Sequence, residues 1–471
     1  MNRADDMETL KVFSPFDGEQ IGELNPVGES EMEAMMATAH RLFSDRSSWL
    51  PKSERINILR KTAEIIRERR TSLAVAAAQE GGKPLVDSLV EIDRAADGIE
   101  CCVEEIRGSA GNVIPMQIDS NSSSKVAFTQ HEPIGVVAAV SAFNHPFNLI
   151  VHQVAPAVAT GCPVLVKPAA ATPLSCQAFI EILQEAGLPK GWAQMALPSD
   201  INLATKMVSD PRVAFFSFIG SSRVGWMLKS KLAPGTRCAL EHGGVAPVIV
   251  SADVDIDDVV ERVAKGGFYH AGQVCVSVQR IFCDRQIVDV FSDKLAKAAD
   301  KLKVGDPTKP DTDVGPLISE KECQRVADWV REAVESGAIL KTGGKILSGT
   351  CYSPTVLVNA DKSANISTSE VFGPVVSIYS YDDVDVAIAE ANSLPVSFQA
   401  AVFTKDLDFA MRCYQNLDAT AVMVNEHTAF RVDWMPFAGA RTSGHGVGGI
   451  PYTIHEMQTE KMMVWRSKSI S

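Results

Sequence analysis

Long apolar runs are absent from this chain of 471 residues. The most apolar stretch, residues 138–166, is interrupted by polar side chains at positions 144, 145, 148, 152 and 153. A membrane-spanning helix needs about 20 consecutive apolar residues, so we expect buried interior here and no membrane segment. The first six residues, Met-Asn-Arg-Ala-Asp-Asp, are polar, and no apolar core of a secretory signal follows them.

Paired metal-binding motifs are missing as well. The ten cysteines include no Cys-x-x-Cys pair and the nine histidines no His-x-x-x-His pair, so we expect no metal site. Without a secretory signal, the cysteines are expected to be free thiols in a reducing cytoplasm. The formal net charge of −13 argues against nucleic acid or an anionic membrane as a partner, because both require clustered Lys and Arg.

Short β-branched runs alternate with helical stretches from residue 134 to residue 251. Strands are predicted at 134–140, 163–167, 194–197, 213–218 and 247–251. A helix is predicted over 149–160, and another from Thr172-Pro173, because Thr suits the N-cap and Pro the first turn. After Gly244, a helix over 256–270, a strand over 279–283 and helices over 288–302 and 320–335 form a second series. The predicted fold class is α/β with two doubly wound domains.

Two segments alternate in the manner of exposed strands, residues 125–130 and 460–465. We expect them to form a projecting β-hairpin arm. Exposed strand edges invite pairing with another subunit, so a homodimer or a homotetramer is expected.

A cysteine and a glutamate in glycine-rich surroundings carry the main chemical signal. Cys275 lies in Ala-Gly-Gln-Val-Cys-Val-Ser, thirty-four positions after Glu241 in Leu-Glu-His-Gly-Gly. A thiol is a soft nucleophile, and a carboxylate accepts a proton from it or from water. Glycines beside each allow the backbone to approach a ligand closely. Most cysteines, by contrast, are inert buried hydrophobes.

Other stretches follow predicted strands, where α/β sheets bind ligands. Asn144 can donate to an oxyanion or belong to an ordinary turn, and Lys167 can bond a ribose or extend to solvent. Gly220-Ser221 opens a helix suited to pyrophosphate. Glu370 in Glu-Val-Phe-Gly-Pro can hold a ribose or cap a helix, and Phe372 can pack on a flat ring or in the core. Residues 436–439, Pro-Phe-Ala-Gly, complete the set.

In their order and spacing, these seven stretches resemble the aldehyde dehydrogenase superfamily, from about residue 10 to residue 465. The resemblance implies oxidation of an aldehyde to a carboxylic acid with NAD⁺ or NADP⁺. It also implies three structural parts. They are a dinucleotide-binding domain over 1–115 and 134–242, a catalytic domain over 243–450, and an oligomerisation arm over 116–133 and 451–471.

The resemblance implies a role for each matched residue. Cys275 is the nucleophile, its backbone N–H and the Asn144 amide stabilise the oxyanion, and Glu241 activates the water that hydrolyses the thioester. The remaining matched positions bind the cofactor: the riboses are held by Lys167 and Glu370, the pyrophosphate by Gly220 and Ser221, and the ring by Phe372.

Three positions depart from the family pattern. Many members carry Lys-Pro-Ser-Glu where this chain has Lys-Pro-Ala-Ala, and Ala170 removes a carboxylate that repels the 2′-phosphate of NADP⁺. NADP⁺ should therefore be tolerated beside NAD⁺, and a preference for NADP⁺ is the alternative left open. His242 replaces the commoner Leu, and is expected to be structural, the alternative being that it tunes the pKa of Glu241. Arg223 can reach a phosphate or remain a solvated helix residue.

Substrate choice is predicted from three basic side chains that, in this fold, approach the substrate entrance: Arg94, His145 and Arg431. They suit an aldehyde with a distal anion, such as succinate semialdehyde or a sulfonated or phosphonated aldehyde. In the alternative, the arginines form scaffold ion pairs, Arg94 with residue 91 or 93 and Arg431 with Asp433. A small hydroxyaldehyde such as lactaldehyde is the rival substrate.

Acyl transfer to coenzyme A is not expected, because Glu241 is present. From another class, the chain could be a cofactor-independent thioesterase or esterase, or a silent scaffold.

Overall fold

The computed structural model describes residues 8–469. The polar start at residues 1–6 and the outermost ends of the predicted segments 1–115 and 451–471 lie outside this range. The strands are β1 (Leu10–Phe13), β2 (Gln20–Leu24), β3 (Val113–Ile114), β4 (Lys125–Pro133), β5 (Val136–Val140), β6 (Val164–Lys167), β7 (Ala193–Met195), β8 (Val213–Ile219), β9 (Arg237–Glu241), β10 (Val248–Val250), β11 (Arg280–Asp284), β12 (Ile339–Thr342), β13 (Ile346–Ser348), β14 (Cys351–Tyr352), β15 (Thr355–Val358), β16 (Val375–Tyr381), β17 (Val396–Ser397), β18 (Gln399–Phe403), β19 (Ala421–Val424), β20 (Ala440–Arg441), β21 (Gly444–His445) and β22 (Gln458–Arg466).

The α-helices are α1 (Glu29–Ser44), α2 (Lys52–Glu68), α3 (Arg70–Gly81), α4 (Leu85–Gly108), α5 (Asn148–Thr160), α6 (Leu174–Glu185), α7 (Ile201–Ser209), α8 (Ser222–Lys229), α9 (Ile256–Phe268), α10 (Val288–Asp300), α11 (Glu320–Glu335), α12 (Asn365–Thr368), α13 (Val384–Ala391), α14 (Leu407–Asn416) and α15 (Ile450–Glu456). Among the described residues, no helix has the length and apolar character needed to cross a bilayer.

Two largely parallel sheets organise the molecule, which confirms the predicted α/β class. The first has the order β21-β9-β8-β5-β6-β7, and only β21 runs antiparallel to its neighbour. The second has the order β12-β15-β16-β11-β10-β18-β19, and only β12 is antiparallel. Alternate residues of β5 belong to different apolar clusters, Val137 to one and Val136 to another. Burial on both faces explains why this strand reads as a continuous apolar run.

The two segments predicted as an arm do pair with each other. β22 runs antiparallel to β4 over nine residues of each, from Gln458 opposite Pro133 to Arg466 opposite Lys125. They are too far apart in the chain for a hairpin, so the predicted hairpin is wrong in its connection. The short strand β3 adds a third member on the other side of β4.

Two helices beside the first sheet, α5 and α6, have their first N–H groups hydrogen-bonded to carboxylates from helices earlier in the chain. The N–H groups of Leu174 and Ser175, at the start of α6, donate to Glu80 of α3 at 2.9 and 2.8 Å. The prediction that Thr172 caps this helix is therefore wrong, and its hydroxyl is buried without a partner among the described atoms. Glu91 of α4 accepts in the same way from the N–H groups of residues 147 and 148, at the start of α5. Its other oxygen forms a buried ion pair with Lys83.

Candidate active site

The carboxyl ends of β5, β8 and β9 open onto a cavity of about 780 Å³. This is the edge at which open parallel sheets bind ligands. Ten of the twelve predicted site residues line the cavity: Arg94, Asn144, His145, Gly220, Ser221, Glu241, Cys275, Glu370, Phe372 and Arg431. The other two are Lys167, the last residue of β6, and Ala170, which directly follows Ala169, a residue that does line the cavity.

Cys275 is held in a loop with an unusual backbone. Helix α9 ends at residue 268, two residues short of the prediction, because His270 and Ala271 adopt positive φ angles of 49° and 54°. Gly272 follows, and a Cβ there would collide with the carbonyl of Gly373. The carbonyl of Cys275 accepts from the N–H of Gly244 at 3.2 Å, so the two motifs identified in the sequence are joined directly. Burial raises the pKa of the thiol to about 12, and the positive charge of a nearby guanidinium opposes this shift.

Asn144 is buried in the turn between β5 and α5. Its Nδ2 donates one hydrogen bond to the carbonyl of Gln273, at 2.9 Å, two residues before Cys275. An amide nitrogen carries two hydrogens, so the second remains for an oxygen in the cavity. The arrangement can present a fixed N–H donor beside a thiol.

Glu241 is the last residue of β9, and its carboxylate packs against the backbone of Gly448. A Cβ at Gly448 would collide with Oε1 of Glu241, so only glycine leaves room for this conformation. Burial raises the pKa of Glu241, and the charge of Arg431 opposes the rise. A carboxyl with a raised pKa at the wall of a cavity is suited to accept a proton from water.

His242 turns away from this carboxylate. Its Nδ1 bonds the carbonyl of Gly220 at 2.9 Å, which requires the proton on Nδ1 because a carbonyl only accepts. Its ring lies beside Phe218 and Trp226, with centroids 5.5 and 6.0 Å away, and a Cβ at Gly225 would collide with it. These contacts make His242 a packing residue between β9 and α8.

The residues assigned to the cofactor retain unsatisfied polar atoms. Oε1 of Glu370 is buried without a hydrogen-bond partner in residues 8–469, and burial raises the pKa of this carboxyl to about 8. Gly243 leaves the space that the carboxylate occupies. Nζ of Lys167 bonds only the adjacent Pro168 carbonyl, at 3.2 Å, within the described part of the chain. An orphaned acceptor and a nearly free ammonium fit the hydroxyl groups of a ribose.

Phe372 lies on the cavity wall in a strained conformation, with φ at 46°. Its ring meets Phe143 edge-on at 5.8 Å. Ala170 is exposed in the turn after β6, and its side chain carries no charge.

Neither arginine predicted to meet the substrate forms the ion pair considered for it, within the described part of the chain. Arg94 makes a double hydrogen bond to Asp433, at 3.1 and 2.6 Å, although the two are 339 positions apart. Its neighbour Asp93 instead pairs with Arg70. Arg431 has no ion pair among the described residues, and its guanidinium lies 3.6 Å above the ring centroid of Phe437.

Two further residues of this wall were not singled out from the sequence. Tyr269 bonds Nε2 of His145 through its hydroxyl at 2.8 Å. Burial lowers the pKa of His145 well below its usual value, which keeps the ring neutral. His152, one turn into α5, bonds Asp433 at 2.7 Å. A lone histidine in an apolar helix gives no sequence signal of such a partner.

The sequence profile of the aldehyde dehydrogenase family matches residues 2–463, and the chain belongs to this family. It is an oxidoreductase that acts on an aldehyde group with NAD(P)⁺, which confirms the predicted class. The chain is similar to 3-sulfolactaldehyde dehydrogenase from Priestia aryabhattai, with 36% identity over 457 residues, 97% of this chain and 95% of the relative.

Solved structures agree with this assignment. Aldehyde dehydrogenase 21 from Physcomitrella patens, in complex with the reaction product succinate, superposes with a TM-score of 0.94 at 33% identity, over 98% of this chain and 96% of that one. The glyceraldehyde-3-phosphate dehydrogenase GapN from Methanocaldococcus jannaschii, complexed with NADP, superposes with a TM-score of 0.92 at 32% identity, over 98% and 100%.

Proposed function

We propose that this enzyme oxidises an aldehyde carrying a distal anionic group to the corresponding carboxylic acid. The observation that carries the proposal is Arg431, a guanidinium without a carboxylate partner among residues 8–469, which lines the same cavity as Cys275. Burying an unpaired cation is costly unless a ligand compensates it. Carboxylates and sulfonates match the planar fork of an arginine.

In the proposed reaction, the thiol of Cys275 gives its proton to solvent, and Sγ adds to the aldehyde carbon to form a thiohemiacetal. Its oxyanion accepts hydrogen bonds from Nδ2 of Asn144 and from the backbone N–H of Cys275. One such donor contributes about 3–4 kcal/mol to the transition state in comparable sites. When bound, NAD(P)⁺ would supply the hydride acceptor, and loss of hydride from the thiohemiacetal would leave a thioester on Sγ.

Glu241 completes the cycle as the general base for hydrolysis. Its carboxylate takes a proton from a water molecule, the hydroxide oxygen adds to the thioester carbon, and the carboxylic acid leaves Cys275 as the carbon–sulfur bond breaks. The raised pKa of Glu241 supports this role, because a base works best when its pKa approaches the working pH.

For the cofactor, we propose that the part of the chain around the first sheet binds the dinucleotide and that the part around the second carries the nucleophile. Lys167 and Glu370 hold the riboses, Gly220 and Ser221 the pyrophosphate, and Phe372 packs beside the nicotinamide ring. Ala170 permits the 2′-phosphate of NADP⁺, and the NADP complex of the Methanocaldococcus jannaschii structure supports this choice.

We further propose a homo-oligomer that assembles through β22. Within the described residues this strand pairs on one edge only, with β4, and it exposes a run of apolar side chains: Met462, Met463, Val464 and Trp465. An unpaired, apolar strand edge is a site for association. The ten free cysteines support a reducing cytoplasm as its location.

The test is reduction of the cofactor, followed at 340 nm, with NAD⁺ and with NADP⁺. Succinate semialdehyde and butanal form a matched pair, since both have four carbons and only the first has a distal carboxylate. A kcat/KM at least about tenfold higher for succinate semialdehyde supports the proposal, since a single well-paired charge contributes this much. Lactaldehyde, the alternative substrate, completes the panel.

Two variants serve as controls. Cys275→Ala should abolish turnover, whereas Cys101→Ala, at a half-buried thiol on α4, should leave it unchanged. Equal or better turnover of butanal would contradict the anionic substrate, and activity in Cys275→Ala would contradict the assigned nucleophile.

A further inference from the structure

Four side chains from three segments form one continuous polar chain along the substrate wall of the cavity. Arg94 of α4 holds both oxygens of Asp433, and Oδ1 of Asp433 also contacts Nε2 of His152 on α5, at 2.7 Å. Nη2 of Arg431 lies 3.5 Å from Nδ1 of the same imidazole. The order of contacts is therefore arginine, aspartate, histidine, arginine.

The partners of His152 define its protonation. A carboxylate only accepts, so Nε2 carries a hydrogen, and a guanidinium only donates, so Nδ1 must accept. The ring is therefore neutral. Burial lowers the pKa of His152, in agreement with this state, although Asp433 acts in the opposite direction. Arg431 is then fixed from two sides, by the imidazole nitrogen and by the ring of Phe437 beneath it.

Counted by ion pairs among the described residues, this wall leaves one cation without a carboxylate in contact, although the carboxyl group of Glu241 is near enough to interact with its charge. Asp433 cancels Arg94, and its pKa is held well below the usual range by His152 and by that arginine, so it stays ionised. Lys265 at the mouth is paired with Asp87 at 2.6 Å. Of the cationic side chains on this wall, within the described part of the chain, only Arg431 has no carboxylate in contact.

We propose that Asp433 is a positioning residue that sets the charge of the distal subsite and restricts it to monoanions, carboxylate or sulfonate. It does so by neutralising Arg94 and by holding Arg431 through His152. A phosphate, which carries close to two negative charges at neutral pH, would bring a second charge that has no free cation. An unpaired charge moved out of water is expensive, so the dianion is disfavoured. This inference rests on the proposed function.

The experiment compares three aldehydes in a charge cycle: butanal, succinate semialdehyde and glyceraldehyde 3-phosphate. Each KM is divided by the KM of butanal for the same variant, so that general disturbance cancels. Asp433→Asn should release Arg94 and lower the relative KM of the phosphate substrate about tenfold, the effect of one charge several ångströms away at an intermediate dielectric. Arg94→Gln should raise the relative KM of succinate semialdehyde by a similar factor, because Asp433 is left uncompensated.

The double variant decides between positioning and direct contact. The double variant carries both Arg94→Gln and Asp433→Asn. If Arg94 acts only through Asp433, this variant has the same net charge at the distal subsite as the wild type. The relative KM of succinate semialdehyde then returns to within about threefold of the wild-type value. If Arg94 binds the substrate itself, the double variant stays as poor as Arg94→Gln, and the inference is overturned. The inference is also overturned if Arg94→Gln alone leaves the relative KM of succinate semialdehyde unchanged.

Two controls separate this inference from the proposed function. Arg70→Gln removes a charge from the exposed Arg70–Asp93 pair, which lies beside the same helix but outside the cavity lining, and should change no relative KM. A wild-type enzyme that does not prefer succinate semialdehyde over butanal contradicts the proposed function. A wild-type enzyme that prefers succinate semialdehyde over butanal, but accepts glyceraldehyde 3-phosphate as well as succinate semialdehyde, contradicts only the role of Asp433.

Discussion

Replacing Gly448 by alanine should slow the second half of the reaction and spare the first. The added Cβ would collide with Oε1 of Glu241 and lie 2.9 Å both from its Cδ and from the carbonyl oxygen of Phe437. Gly448 cannot retreat easily, because its N–H donates to the carbonyl of Phe437 at 2.7 Å and its own carbonyl accepts from the same residue at 3.0 Å. The carboxylate must therefore move. A misplaced general base costs about 100- to 10,000-fold in the step it serves.

The assay is rapid mixing of enzyme, NADP⁺ and succinate semialdehyde, with absorbance at 340 nm. Gly448→Ala should retain a burst of about one reduced cofactor per active site, because formation of the thioester does not need Glu241. Steady turnover after the burst should fall at least about 100-fold. In a Glu241→Gln background the same substitution should cost less than about twofold more, since two changes that remove one function are not additive.

Gly108→Ala is the matched control, because a Cβ there meets no atom of the described residues within 4 Å. It should behave as the wild type. Wild-type turnover in Gly448→Ala, or a full additional loss in the Glu241→Gln background, would refute the reasoning that Gly448 positions this carboxylate.

Three further predictions concern a thiol, the cofactor and a helix start. Because burial raises the pKa of Cys275 to about 12, the thiolate fraction should rise about tenfold per pH unit. Alkylation of the free enzyme by iodoacetamide should accelerate accordingly between pH 7 and 9, and a flat profile would contradict this. Ala170→Glu should raise the KM for NADP⁺ about tenfold relative to NAD⁺ by charge repulsion, and an unchanged ratio would place the 2′-phosphate elsewhere. Glu80→Gln leaves the N–H of Leu174 or Ser175 without a carboxylate oxygen. Urea titration should therefore show a loss of about 1–2 kcal/mol in the free energy of unfolding. An unchanged urea midpoint would mean that water hydrogen-bonds the first N–H groups of α6 equally well.

The central strands were predictable because burial on both faces leaves a plain signature. Residues 134–140 and 213–218 were predicted as strands and lie close to β5, at 136–140, and β8, at 213–219. The prediction that Cys275 and Glu241 lie at one site followed from the resemblance to a family, which rests on the order and spacing of motifs along the chain. The first inference depends on a few neighbouring residues, and the second on short motifs whose order and spacing extend over nearly the whole chain.

Long-range partners were not predictable. Thr172 and Pro173 satisfy the local rules for a helix start, but in the structure the carboxylate of Glu80 accepts the hydrogen bonds from the first N–H groups of α6. The local candidates for pairing with Arg94 were residues 91 and 93, and the actual partner is 339 positions away. In each case the local rule was sound, and a charged group brought in by tertiary packing replaced the local partner.

The carboxylate of Glu91 has a consequence for how the enzyme assembles. It bonds the N–H groups at the start of α5, only a few residues after Asn144, and it reaches them across 56 positions of the chain. The turn that places Asn144 at the cavity therefore gains part of its support from α4, in addition to the hydrogen bond from Asn144 to Gln273. We therefore expect a partly folded chain in which α4 has not docked to hold Asn144 less firmly than the native enzyme does.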